Sequence, residues 1–146
     1  MTRLTGGQAL VKTLRSHGVD TVFGLPGVQL DHLFNAFYDE RNAIRVLNAR
    51  HEQACAYMAF GYARASGRVG VYAVVPGPGL LNTTAALATA QSCYTPVLAI
   101  TGQIPSRWIE QGVGLLHEIP DQLGLISRLT KWSARIEDPT QASPLV

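Results

Sequence analysis

Charge and cysteine are both scarce in this chain, and each scarcity excludes something. Only 15% of the 146 residues are charged, against roughly 25% in an ordinary soluble domain. Less polar side chain than usual is available to cover the outside, so part of that outside is expected to be an interface. The formal net charge is +2 and the basic residues are scattered, which argues against nucleic acid or a membrane surface as a partner. Two cysteines, Cys55 and Cys93, make no disulfide framework. Both fall in alanine-rich helical stretches, where a free thiol behaves as a small buried hydrophobe, and a reducing, cytoplasmic setting is expected. No run approaches the ~18 apolar residues of a membrane span. The opening "MTRLTGGQALVKTLRSHG" lacks a signal-peptide core.

What is present is material for a core: 47% of residues are hydrophobic, and the length fits one domain over residues 1–146. In "TGGQALVKTLRSHG", Ala9, Leu10, Val11 and Leu14 share a helical face, with Thr5 as cap and Gly18 as stop. "DTVFGLPG" reads as a strand ended by a turn, and "VQLDHLFNAFYDE" as a helix. The alternation continues with "IRVLNA" as strand, Glu52 to Ser66 as helix, "VGVYAVV" as strand, "PGPG" as turn, Leu81 to Cys93 as helix and "TPVLAITG" as strand. Beyond an irregular stretch, Pro120 to Ser127 reads as a short helix, "TKWSARI" as a fifth strand nearer an edge, and Asp138-Pro139 as a helix start. Strands of nearly continuous Val, Ile, Leu and Ala predict a mostly parallel sheet covered on both faces, a three-layer α/β/α fold.

In such sheets ligands gather at the carboxyl ends of the strands. Three stretches fall there: Gly24 to Gly27, Asn48 to Glu52 and Val75 to Asn82. Glu52 is the lone acid at the head of an alanine-rich helix. It has two readings. One is a first-turn acid gaining ~0.3–1 kcal/mol from the helix dipole. The other is a carboxylate facing a crevice, where apolar neighbours oppose its ionisation, the dipole favours it, and it can exchange a proton with a ligand nitrogen.

Other motifs fit less well. "VVPGPGLLN" invites a dinucleotide reading through Gly77 and Gly79, but Asn82 stands where a third glycine belongs and Pro78 removes a backbone donor. "HEQAC" begins like a zinc helix, yet its fifth position is Cys55 and no third ligand is near, so no metal site is expected. Asn82-Thr83-Thr84 matches a glycosylation sequon and is read as a chance match at a helix start, no secretory route being expected. The alanines at 54, 56, 59, 63 and 65, and at 85, 86, 88 and 90, suit close core packing and a subunit interface equally.

Taken in order, "GVDTVFGLPG", "NARHEQACAYMAFGYARASG", "VGVYAVVPGPGLLNTTAALATA", "TPVLAITGQIP" and "LTKW" resemble the N-terminal, pyrimidine-binding domain of thiamine-diphosphate enzymes of the acetolactate synthase type. The match runs from about Leu4 to Trp132. The resemblance implies that Glu52 contacts N1′ of the cofactor's aminopyrimidine and favours the imino tautomer that removes the thiazolium C2 proton. The cofactor then attacks a 2-oxo acid such as pyruvate, carbon dioxide leaves, and the product adds to an acceptor. One carboxylate is enough, since the cofactor carries the rest. By the same matching Pro26, Gly27, Val75, Gly77, Gly79 and Asn82 line the pyrimidine pocket, with Gln103 near the substrate entrance.

The sequence departs from the family at two points. Acetolactate synthases usually carry Phe-Gln-Glu where this chain has Leu116, His117 and Glu118. That weakens this specific activity and leaves His117 either as a group acting on substrate or as an exposed loop histidine. The Gly-Asp-Gly motif of the family's C-terminal, magnesium- and diphosphate-binding domain is absent. The family fold orders six parallel strands 2-1-3-4-6-5, and its sixth would lie beyond Val146. The expectation is therefore a fragment of a longer, homo-oligomeric enzyme, inactive alone, with a gap between its fourth and fifth strands. A binding or regulatory module that kept the fold without the chemistry is the alternative.

Overall fold

Period-two alternation in one central strand lays out the molecule. In β3 (Gly70–Val74) every residue is buried. Val71 and Ala73 join a core with Leu10, Val11, Leu14, Leu33 and Phe37. Tyr72 and Val74 join a second core with Cys55, Ala56, Ala59, Leu80 and Leu87. A strand sends successive side chains to opposite faces, so two separate cores on one strand mean helices on both sides.

The computed structural model describes residues 3–146. The sheet holds β1 (Thr21–Gly24), β2 (Arg45–Asn48), β3 and β4 (Val97–Thr101) in the order β2-β1-β3-β4. All three pairings are parallel, with Val22 opposite both Val46 and Val71, and Tyr72 opposite Ala99. On one face lie α1 (Gly6–Ser16), α2 (Asp31–Asp39) and the terminal α7 (Ala142–Leu145). On the other lie α3 (Glu52–Ser66), α4 (Pro78–Leu81), α5 (Thr84–Ser92) and α6 (Gln122–Ser127). The predicted three-layer α/β/α fold is what forms.

Local chemistry explains the element ends. Thr5 opens α1 with a capping box: its hydroxyl accepts from the Gln8 N–H at 3.2 Å, and the Gln8 side chain accepts from the Thr5 N–H at 3.0 Å. Asp138 and Gln141 repeat the device ahead of the short turn Pro139–Gln141 and α7, where a helix start was expected. In α3 the buried residues Cys55, Ala56, Ala59 and Ala63 follow helical spacing. A Cβ at Gly70 would overlap the Ala59 carbonyl. The alanines therefore let α3 lie close against β3.

Three expectations are corrected. Thr130 to Ile136 forms no strand. A strand needs a ladder partner, and a groove of about 1120 Å³, bordered by Leu98, Ile100 and Trp132, lies alongside β4. Among the described residues β4 is thus an edge. Leu81 to Cys93 is not one helix but is broken at Asn82 and Thr83. There the Thr83 and Thr84 hydroxyls donate to the carbonyls of Leu80 (2.7 Å) and Leu81 (2.8 Å), competing with the helical ladder. Cys93, expected to be buried, is exposed at the end of α5, whereas Cys55 is fully buried.

Candidate active site

Because all four strands run parallel, Gly24, Asn48, Val74 and Thr101 end at one edge of the sheet. The turns that follow converge there on Val75. A Cβ at Gly27 would overlap Val75 Cγ1, and one at Gly79 would overlap Val75 Cγ2. Two glycines from different turns thus clasp one valine, whose methyl groups fill the space a side chain would take at either glycine.

Glu52 is the first residue of α3, and the helix is capped by His51, whose Nδ1 accepts from the Gln53 N–H at 3.2 Å. Its carboxylate points to the same place. Oε1 lies 3.5 Å from where a Gly79 Cβ would stand, and Oε2 accepts from Asn82 Nδ2 at 3.0 Å. The residue is half-buried. Among the described residues the ion pairs are Arg15–Glu40 and Arg68–Asp20, so no cation neutralises Glu52, and Oε1 makes no hydrogen bond. Nearby, burial pushes the Cys55 thiol above its ordinary range, a hydrogen bond with Ala49 offsets part of that, and the charge on Glu52 adds to it. Cys55 is therefore inert.

Asn82 sits at the break between α4 and α5, and that break is anchored from the core. Thr83 Oγ1 spends its hydrogen on the Leu80 carbonyl, so it accepts from the Tyr72 hydroxyl, 2.8 Å away and fully buried. Burial pushes the Tyr72 phenol well above its ordinary value, and the bond with Thr83 offsets part of the shift.

Gly77 begins the α4 turn at φ +60, a left-handed value, and the His117 carbonyl presses against it where a Cβ would stand. Its N–H donates to Gln122 Oε1 at 2.8 Å, and Gln122 Nε2 donates to the Gly102 carbonyl at 3.1 Å. Gln122, only 8% exposed, therefore stitches the β3 turn to the end of β4. This arrangement also disposes of the dinucleotide reading. The Gly77 donor is engaged, Pro78 has none, and α4 is four residues long.

Of the expected site residues, Gly27, Glu52, Val75, Gly79 and Asn82 form one contiguous group. Gly77 and His117 meet on the adjoining turn. Pro26 is exposed on its flank. Gln103 is half-buried and accepts from the Ile104 N–H at 2.8 Å through its own side chain. Gln122 and Gln29 escaped the sequence reading. The usable signal for Gln122 was a polar residue on the apolar face of "DQLGLI". His51 caps α3 and Cys55 lies in the core, and among the described residues no group of three or more His, Cys, Asp or Glu could hold a metal.

A parallel α/β domain with glycine turns and an unpaired carboxylate at its carboxyl edge has the layout of a small-ligand-binding domain. Comparison with known families makes this specific. The chain belongs to the family described as thiamine pyrophosphate enzyme, N-terminal TPP binding domain, whose model matches residues 4–125; thiamine pyrophosphate and thiamine diphosphate are one compound. It is 41% identical over 143 residues to a probable 2-ketoarginine decarboxylase, AruI, of Pseudomonas aeruginosa, covering 98% of this chain and 25% of that protein. It is 41% identical over 134 residues to the acetolactate synthase isozyme 2 large subunit of Escherichia coli, covering 92% and 24%. It is also similar to 2-hydroxyacyl-CoA lyase 2 of Danio rerio, at 39% over 141 residues, covering 97% and 22%. The chain spans about a quarter of the length of the curated relatives it matches. The family implies thiamine diphosphate as cofactor. No helix among the described residues is long and apolar enough to cross a membrane.

Proposed function

We propose that this chain is the cofactor-activating domain of a longer thiamine-diphosphate-dependent 2-oxo acid decarboxylase or carboligase, and that Glu52 is its catalytic residue. The observation that carries the reading is the Glu52 carboxylate, oriented on one oxygen by Asn82 and free on the other, beside the Gly79 turn.

The residues suit one end of the cofactor and not the other. A flat ring needs an apolar wall, which Val75 and the two glycines packed on it, Gly27 and Gly79, supply, and a ring nitrogen needs one acid, which Glu52 supplies. A diphosphate with magnesium needs metal ligands, and the described residues offer no such group. Magnesium and diphosphate are assigned to another domain of the longer enzyme, so this chain is inactive alone. When bound, thiamine diphosphate supplies the nucleophilic carbon and the electron sink for decarboxylation.

The work of this chain is then local. Glu52 holds or gives up a proton at the ring nitrogen, and Asn82 keeps its carboxylate aimed. Val75 and the alanine-rich α3 keep water away, which strengthens that contact. Pro26 and Gly77 border the pocket, with Gln103 and His117 toward the substrate. The exposed apolar side chains Tyr57, Met58 and Leu81 on α3 and α4 favour a homo-oligomer, a dimer or tetramer with the site between subunits. The thiols of Cys55 and Cys93, both free, suit the cytoplasm. Having Leu116 and His117 in place of Phe-Gln speaks for an activity other than acetolactate synthesis.

Thiamine diphosphate and NAD, titrated separately against the full-length protein with magnesium, provide the test. Thiamine diphosphate at about 100 times its Kd is expected to add ~2.7 kcal/mol of stability and raise Tm. Protection by NAD and none by thiamine diphosphate overturns the reading.

A further inference from the structure

Gln29 lies in the short 3-10 turn Val28–Leu30 that follows the first glycine bend, and its side-chain amide spans two groups of a distant loop. Nε2 donates to the Leu116 carbonyl at 3.2 Å, while Oε1 stands 2.8 Å from His117 Nδ1. A backbone carbonyl only accepts, so the first contact fixes which end of the amide faces which group. The end facing the imidazole is then an oxygen, which also only accepts. Nδ1 must carry the hydrogen, and in the neutral ring Nε2 is left bare. Nε2 takes part in no hydrogen bond among the described residues.

The backbone holds this geometry at some cost. His117 is half-buried and adopts φ +69, a left-handed conformation that a side chain other than glycine seldom takes. Such strain persists where the surroundings over-determine it. They do so here. The Leu115–Glu118 turn is closed by the Glu118 N–H donating to the Leu115 carbonyl (2.9 Å) and by the Leu115 N–H donating to Glu118 Oε2 (2.8 Å). The His117 carbonyl rests on Gly77.

We propose that Gln29 is a positioning residue that locks neutral His117 in the Nδ1–H tautomer, so that Nε2 is a hydrogen-bond acceptor for the substrate. The opposite tautomer would set the Nδ1 lone pair against the Gln29 oxygen. A substrate recognised this way brings an O–H or N–H donor to Nε2. The tautomer assignment stands on the geometry alone; its use on substrate rests on the function proposed above.

The test pairs Gln29→Met, which keeps length and removes both hydrogen bonds, with Gln29→Glu, which keeps an acceptor for Nδ1–H. Long-range 15N–1H correlation of the His117 ring, recorded in the chain where the ring is neutral, is expected to show protonated Nδ1 in wild type and Gln29→Glu. In Gln29→Met the hydrogen moves toward Nε2. In the full-length enzyme Gln29→Met is expected to lower kcat about fivefold or more, and Gln29→Glu to recover most of it only at a pH where the His117 ring is neutral. An Nε2–H ring in wild type, a tautomer indifferent to Gln29→Met, or a changed tautomer with kcat unmoved overturns the inference. Protection of the same variants by thiamine diphosphate reports separately on the function of the site.

Discussion

The Asn82 side-chain amide donates to Glu52 Oε2 across 3.0 Å, joining the head of α3 to the break between α4 and α5. A neutral donor orients the carboxylate without cancelling its charge, which suits a group that must still handle a proton. Asn82→Ala removes that donor from an exposed position, so the chain is expected to lose under ~1 kcal/mol in urea unfolding. In the full-length enzyme kcat should fall about tenfold. An unchanged kcat would show that Glu52 needs no such guide.

The anchor beneath Asn82 makes a second prediction. Tyr72→Phe leaves Thr83 Oγ1 without its donor inside the core, at a cost of ~1 kcal/mol. The pH dependence has a definite sign. The folded phenol titrates above its ordinary value of 10.0, so the unfolded chain releases this proton first. Tyr72 stabilises the fold fully below 10.0, and that contribution is lost as the pH rises above it. Stability measured from pH 9 upward should fall less steeply in Tyr72→Phe than in wild type; parallel curves would refute the assignment.

Two glycines should respond in opposite directions. Gly61 is exposed in the middle of α3 with open space where a Cβ would stand, so Gly61→Ala is expected to stabilise the chain by ~0.5–1 kcal/mol. Gly77 combines φ +60 with the His117 carbonyl pressed against it, so Gly77→Ala should cost ~2 kcal/mol or more. Thermal denaturation of the two variants checks the pair. Equal effects would mean that the loop of His117 does not rest on Gly77.

Most of the sheet was legible because β3 and β4 read as nearly continuous apolar runs and the helices between the strands show their own period, as in the Cys55, Ala59, Ala63 spacing of α3. Glycines at 27 and 79 marked the turns, and Glu52 was conspicuous as the lone acid of its helix. The failures share one cause: they depend on specific side-chain partners or strand neighbours that a hydrophobic period does not show. "TKWSARI" alternates as an edge strand should, yet the groove separates it from β4 and it pairs with no strand. Thr83 breaks its helix because its hydroxyl is shared between Leu80 and Tyr72. Gln29 and Gln122 act through side chains that reach loops nearly ninety and forty-five residues away, respectively, which no local pattern reveals.

The central claim is that Glu52 handles the proton that readies the cofactor. Its most direct test is the rate at which the C2 proton of bound thiamine diphosphate exchanges with deuterium in the full-length enzyme carrying Glu52→Gln. The account predicts intact folding and exchange slowed at least about tenfold, ~1.4 kcal/mol on the barrier. Exchange at the wild-type rate, with cofactor bound, would contradict it.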